Sequence, residues 1–202
     1  MGVPDRDENE GRGREPPPGL IIRARRPSDA EKIAELVNLP GYRFGTNRIP
    51  YPSPEEVRGW IEKAPLGNLA LVAVVDDQIV GDGGLHRRSG RQLHVAEIGL
   101  GVHDAWTGKG IGTALLAALV EAADRWLGIW RLQLFVYVDN APALHLYCRF
   151  GFEMEGTHRA FALRDGQYVD AHAMDASALR ASPQRTEPRT DSEQIHSPPR
   201  RG

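Results

Sequence analysis

The sequence predicts one α/β (α+β) domain, with a mixed, mostly antiparallel central sheet of about seven strands and four flanking helices. Three observations predict it. Apolar runs alternate with amphipathic helical stretches in the order β-α-α-β-β-β-α-β-α-β-β. Turn pairs at Asp76-Asp77 and Asp165-Gly166 join neighbouring strands, so hairpins dominate. A glycine-rich turn, Thr107 to Thr113, links an apolar strand directly to an apolar helical run, which packs a helix onto the sheet.

The elements follow in order. Leu20 to Ala24 is an apolar run of strand length. Ser28 is a suitable N-cap, with Glu31 completing a capping box and Ile33, Ala34 and Val37 forming a helical stripe that ends at Pro40-Gly41. A loop carrying Tyr42, Phe44 and Tyr51 is expected next. Ser53-Pro54-Glu55-Glu56 opens a second helix, with proline in the first turn, where its missing N–H costs nothing. Leu69 to Val75 and Ile79 to His86 make a hairpin, and a turn at Gly90 leads into a strand over 92–103. The helix after the glycine turn runs to about Arg125. Leu132 to Val138 is a buried strand, Ala141 to about Arg149 a short helix, and 154–163 and 167–175 the last two strands.

The ends differ in composition. Residues 1–18 are charged and finish in Pro16-Pro17-Pro18, and 177–202 are rich in Arg, Ser and Pro; both are expected to be disordered tails around a domain of 19–176. The formal net charge of −2 gives no basic patch for nucleic acid or a membrane surface. The N-terminus lacks the apolar core of a signal peptide, and no apolar run approaches the ~20 residues of a membrane span, so a cytoplasmic protein is expected. Cys148 is the single cysteine, which excludes an internal disulfide and is expected to be buried.

The glycine turn carries the chemistry. Glycines let consecutive backbone N–H groups converge on an anion, and the following helix adds its positive N-terminal dipole. The spacing is not that of a P-loop, nor of a dinucleotide fingerprint. A tight strand-to-helix turn without a ligand stays open at this point.

The neighbouring residues narrow it. About thirty residues later comes Val138-Asp139-Asn140-Ala141-Pro142-Ala143-Leu144-His145-Leu146-Tyr147-Cys148-Arg149-Phe150-Gly151-Phe152. With Gly108-Lys109-Gly110-Ile111-Gly112 and the preceding Ile98-Gly99-Leu100-Gly101-Val102, this closely resembles the GNAT superfamily of acetyl-CoA-dependent N-acetyltransferases. The later segments 153–157 and 163–171 resemble its bacterial amino-acid N-acetyltransferase branch. The resemblance spans 19–176. One position departs from it: the family loop opens with Gln or Arg, and here with Thr107.

The resemblance implies a GNAT fold with acetyl-CoA as co-substrate. Pantetheine would lie beside Leu100 and Val102, and the pyrophosphate on the amides of Thr107, Gly108, Lys109, Gly110, Ile111, Gly112 and Thr113. Asn140 would bind the CoA arm, a role compatible with capping the helix it opens. Tyr147 matches the family tyrosine that protonates the CoA sulfur; the alternative for it is a core aromatic on an amphipathic helix. Glu97 matches carboxylates used as general bases; the alternative for it is a strand-end salt bridge to His94 or an arginine. His103, on the same alternating face, is a rival base.

Acceptor specificity is expected from Tyr42, Arg43, Phe44 and Tyr51, with Arg43 or Arg48 meeting a carboxylate, and from the hairpin at Tyr168 to His172. Ordinary loop packing is the alternative for each. No His-Glu-x-x-His or Cys-x-x-Cys pattern exists, so no metal is expected. Trp106, Trp126 and Trp130 are expected to pack around the central helix. The expected reaction is acetyl transfer to a small-molecule amine, a free amino acid by the resemblance. A protein or peptide acetyltransferase and a non-catalytic CoA-binding module stay open, and a homodimer is a family-level expectation.

Overall fold

The computed structural model describes residues 15–177. The expected tails fall almost wholly outside the described residues. Seven strands form one sheet: β1 (Ile21–Ala24), β2 (Leu69–Val75), β3 (Gln78–Arg87), β4 (Val95–Val102), β5 (Arg131–Tyr137), β6 (Glu153–Arg164) and β7 (Gln167–Asp175). Their order across the sheet is β1-β2-β3-β4-β5-β7-β6. Every neighbouring pair is antiparallel except β4 with β5. The hairpin turns are as expected: Asp76 and Asp77 both have positive φ, as do Asp165 and Gly166, the geometry that matches the right-handed twist of paired strands.

The helices are α1 (Ala30–Val37), α2 (Pro40–Gly45), α3 (Pro54–Glu62), α4 (Ile111–Arg125) and α5 (Ala141–Arg149). Helix α4 buries Ile111, Leu115, Leu116, Leu119 and Ala123 against one face of the sheet, where Val80, Leu85 and Ile98 meet them. Each of the Ile and Leu side chains contributes about 1.5–3 kcal/mol of burial, so this stripe fixes α4 firmly. The other face carries α1 and α3 over Val72, Val74 and Ile79.

Four local expectations are corrected. The capping box lies two residues earlier than Ser28 and Glu31 suggest, at Arg26 and Asp29. Asp29 accepts from the Arg26 N–H at 2.7 Å and takes both Arg23 nitrogens at 2.8 Å, so a short 3₁₀ turn, Pro27–Asp29, precedes α1. The first helix stops before Pro40 as expected, but Pro40 also begins another, α2, a short fifth helix beside the four expected ones among the described residues. The Asp104 carboxylate accepts from the N–H groups of Gly41 and Tyr42, both at 2.8 Å, which caps α2 from a distant turn. Trp126 is 80% exposed rather than packed: it is the C-cap of α4, and Leu127 and Ile129 take the apolar positions instead. Cys148 is exposed, because the buried side of α5 is that of Tyr147. Among the described residues no helix is long and apolar enough to cross a membrane.

Candidate active site

Strand β4 organises the site because its two edges have different partners. In a strand, one residue's N–H and C=O point to the same edge, and successive residues alternate. Val95 accepts from the Arg88 N–H and His103 donates to Val80, both at 2.9 Å, so odd-numbered residues of this strand face β3. His94 accepts from the Arg131 N–H at 3.0 Å, so even-numbered ones face β5. The parallel pairing with β5 ends at Glu97↔Gln133. Beyond that point β5 stays with β7, through Tyr137↔Ala171, and leaves β4. Leu100 and Val102 therefore direct their backbone groups into a gap.

A cavity of about 880 Å³ fills this gap. Its lining runs from the glycine turn (Thr107, Gly108, Gly110, Gly112, Thr113), past Leu100, Val102, Asn140 and Tyr147, to Arg25, Tyr42, Asp82, His86 and Glu97. Gly108 and Gly110 have φ of 71° and 79°, left-handed values that only glycine adopts freely. Left-handed residues next to a helix start aim successive N–H groups at one point, an anion-binding concavity, and the first turn of α4 adds its dipole. Gly112 lies under α5: a Cβ there would sit 3.3 Å from Leu146 Cδ2. The Thr107 hydroxyl turns back and donates to Asp104 O at 2.9 Å. Two other expected loop residues point elsewhere. Lys109 Nζ lies over the Trp106 ring, 4.8 Å from its centroid, and the Ile111 side chain is in the core, so neither lines the cavity.

The polar groups have identifiable surroundings. Tyr147 is 5% exposed, against the Phe152 ring, and burial pushes its hydroxyl up to about 12. Asn140 Oδ1 accepts from the Ala143 N–H at 3.2 Å and so caps α5. Glu97 is half-buried, lines the cavity and accepts from Arg88 Nη2 at 3.0 Å, so the arginine salt bridge and the cavity position coexist. His103 is withdrawn from the site: its Nδ1 accepts from the Ala105 N–H at 3.1 Å, capping the turn Asp104–Trp106, and it does not line the cavity.

The acceptor side differs from expectation. Tyr42 and Arg48 line the cavity; Arg43, Phe44 and Tyr51 do not. Phe44 lies beneath the Arg164 guanidinium, 3.9 Å from its carbon, and Tyr51 is 84% exposed. The Tyr42 hydroxyl donates to Asp82 Oδ1 at 2.5 Å, and burial, reinforced by that carboxylate, raises it well above the usual tyrosine range. Arg25, Asp82 and His86 escaped the motifs. The available signal was strand alternation: Asp82, Gly84 and His86 share a face of β3, and an aspartate inside Ile-Val-Gly-Asp-Gly-Gly-Leu is costly to bury without a purpose. His86 lies opposite Glu97 in the register, and desolvation, aided by nearby Arg48 and Arg25, lowers its pKa.

A model of the Acetyltransferase (GNAT) family matches residues 33–152. The chain belongs to the GNAT acetyltransferase family. This acetyltransferase is 36% identical over 156 residues to the L-amino acid N-acetyltransferase AaaT of Escherichia coli (strain K12), covering 77% of this chain and 96% of that protein. The GNAT-family acetyltransferase structure from Streptococcus pneumoniae superposes with a TM-score of 0.67 at 25% identity, over 77% of this chain and 97% of that one. The fold is also that of yncA from Salmonella typhimurium, a structure with its cofactor acetyl-CoA: TM-score 0.70, 22% identity, 83% and 99% coverage. Among the described residues of this acetyltransferase, no group of three or more His, Cys, Asp or Glu side chains could hold a metal ion.

Proposed function

We propose that this acetyltransferase moves the acetyl group of acetyl-CoA to the amine of a small molecule, a free amino acid. One observation carries the reading: a single cavity joins the glycine turn, the free edge of β4, Tyr147 and Glu97. The glycine turn suits a pyrophosphate, and the backbone groups of Leu100 and Val102 suit an amide-bearing arm that adds to the strand as a peptide would. The likeness to an L-amino acid N-acetyltransferase supports the acceptor class.

Three events must be served. An α-amino group titrates near pH 8, so much of it is ammonium at pH 7 and must lose a proton. Glu97 takes it, directly or through water, with Arg88 fixing the carboxylate from its other side. The oxyanion of the tetrahedral intermediate meets an N–H of Leu100 or Val102, which already points into the gap and needs no reorganisation. Tyr147, kept protonated by its burial, donates to the departing sulfur. The same burial disfavours a thiolate, so the proton transfer runs toward the sulfur.

Thiol release from acetyl-CoA, measured against amino acids, polyamines, aminoglycosides and peptides, tests this. Release with amino acids is expected. Binding of CoA without release for any amine would instead make the domain a non-catalytic CoA-binding module.

A further inference from the structure

The acceptor end of the cavity holds two arginines, Arg25 with one long ion pair and Arg48 with none among the described residues. Arg25 follows β1 and is tied there by its N–H to Ala70 O at 2.9 Å. Its side chain is only 14% exposed and lines the cavity. A guanidinium carries five donors in a fixed fork. Among the described residues the one carboxylate contact of Arg25 is to Asp82 Oδ2 at a long 3.5 Å, and Nε is buried without a hydrogen-bond partner. Asp82 cannot close on it, because Tyr42 holds the other carboxylate oxygen at 2.5 Å. A largely buried cation so weakly paired is costly unless an anion completes it.

Arg48 lines the same cavity from the segment between α2 and α3. Its guanidinium stacks on Trp60, 4.7 Å from the ring centroid, and no ion pair to it occurs among the described residues. Both arginines act on the same two groups, Tyr42 and His86, so they converge on one region. The acidic groups there already have partners: Glu97 has Arg88, and Asp82 has Tyr42. An anion is what this end of the cavity lacks.

Space for a ligand exists between these groups. Gly99 shares the sheet face of Asp82, His86 and Glu97, so the floor carries no side chain at that position. At Gly99 a Cβ would meet nothing within 4 Å.

We propose that Arg25 and Arg48 together read a carboxylate on the acceptor, so that the enzyme selects amines that carry one. This rests on the small-amine reading above and specifies which residues set its substrate class. Asp82 and Tyr42 position the Arg25 fork; Trp60 positions that of Arg48.

The test compares kcat/KM for an amino acid, its carboxamide and the corresponding decarboxylated amine, in the wild type, Arg25→Gln, Arg25→Lys and Arg48→Gln. A charge-assisted fork predicts that the acid outruns its amide by about tenfold or more in the wild type. In both Gln variants the acid-to-amide ratio should collapse toward one, through KM for the acid, with KM for acetyl-CoA unchanged. Arg25→Lys should recover only part of the ratio, because a point charge lacks the fork. Arg48 is exposed, so its variant carries the test even if Arg25→Gln fails to fold. Amides acetylated as well as acids, or variants that keep the ratio, would overturn the proposal and leave the small-amine reading intact. No acetylation of any small amine would overturn both.

Discussion

A Cβ on residue 101 would lie 2.2 Å from Cε2 of Tyr42, so Gly101 of β4 and the tyrosine ring of α2 occupy one space. The ring is pinned there at both ends, by its hydroxyl on Asp82 and its N–H on Asp104. Helix α2 is thus seated on β4 through a missing side chain. Gly101→Ala should push α2 off the sheet. Overpacking of this kind costs about 1–3 kcal/mol, visible as a lower Tm. KM for the acceptor should rise more than KM for acetyl-CoA, because Tyr42 lines the acceptor end. An unchanged Tm would mean that the ring moves aside freely.

The two proposed proton steps separate by mutation. Tyr147→Phe removes the hydroxyl and keeps the packing against Phe152, so acetyl-CoA binding should persist while kcat falls by about 10²-fold or more. Glu97→Gln should lower kcat similarly at pH 7 and recover activity as pH rises and the free amine becomes abundant. With burial holding the Tyr147 hydroxyl up to about 12, the wild type should show no loss of kcat from this group up to at least pH 10. Turnover of Tyr147→Phe equal to wild type with saturating amine would remove the tyrosine from the mechanism.

Thr107 is the departure from the family loop, and its hydroxyl is spent on Asp104 O. Thr107→Arg places a cation at the mouth of the glycine turn. Kd for CoA should fall several-fold at low salt, and the gain should shrink as salt screens it. A salt-independent change would point to altered turn geometry rather than charge.

Acid sensitivity should come from Asp29. The Arg23 guanidinium holds its carboxyl below the usual value of 3.8, with the Arg26 N–H assisting against desolvation. A lowered folded value means stability that is complete above pH 3.8 and lost as pH falls through the lowered value. Asp29→Asn should therefore cost about 1.5–3 kcal/mol at pH 7, as for hydrogen bonds to charged groups. The difference from wild type should shrink in urea titrations as pH falls below 3.8. A difference that persists there would assign the loss to packing.

The fold and the donor half of the site were legible because both are written in local order. Gly108 to Gly112, Asn140 and Tyr147 lie along two strand-to-helix junctions, so their spacing in the chain sets their spacing in space. Helix α2 was not legible, since its cap is Asp104, which is distant in sequence. Of the acceptor half only Tyr42 and Arg48 were legible, both from the segment after α1. Arg25, Asp82 and His86 were not, because Arg25 and β3 are distant in sequence and only the β1-β2-β3 pairing brings them to one cavity. Of the loop aromatics Tyr42 lines the cavity, whereas Phe44 and Tyr51 misled, Phe44 because it lies under Arg164 instead. The burial of Cys148 and Trp126 failed at helix positions where one residue's rotation, about 100°, exchanges core for solvent.

Gly99 offers the cleanest separation of acceptor from donor. It lies on the acceptor face of β4, outside the left-handed region, so an L side chain fits its backbone. A side chain there would project into space and strike no protein atom at Cβ. The series Gly99→Ala, Val and Leu should leave Tm and KM for acetyl-CoA near wild type, because the backbone groups directed into the gap, proposed to hold pantetheine, belong to Leu100 and Val102. The same series should lower kcat/KM for amino acids in steps that follow the volume added. Bulky acceptors should fail first and glycine last, since the lost volume is the acceptor's own. A rise in KM for acetyl-CoA along the series would place residue 99 on the donor side. An equal loss for every acceptor would argue that the substitution disturbs β4 rather than filling the cavity.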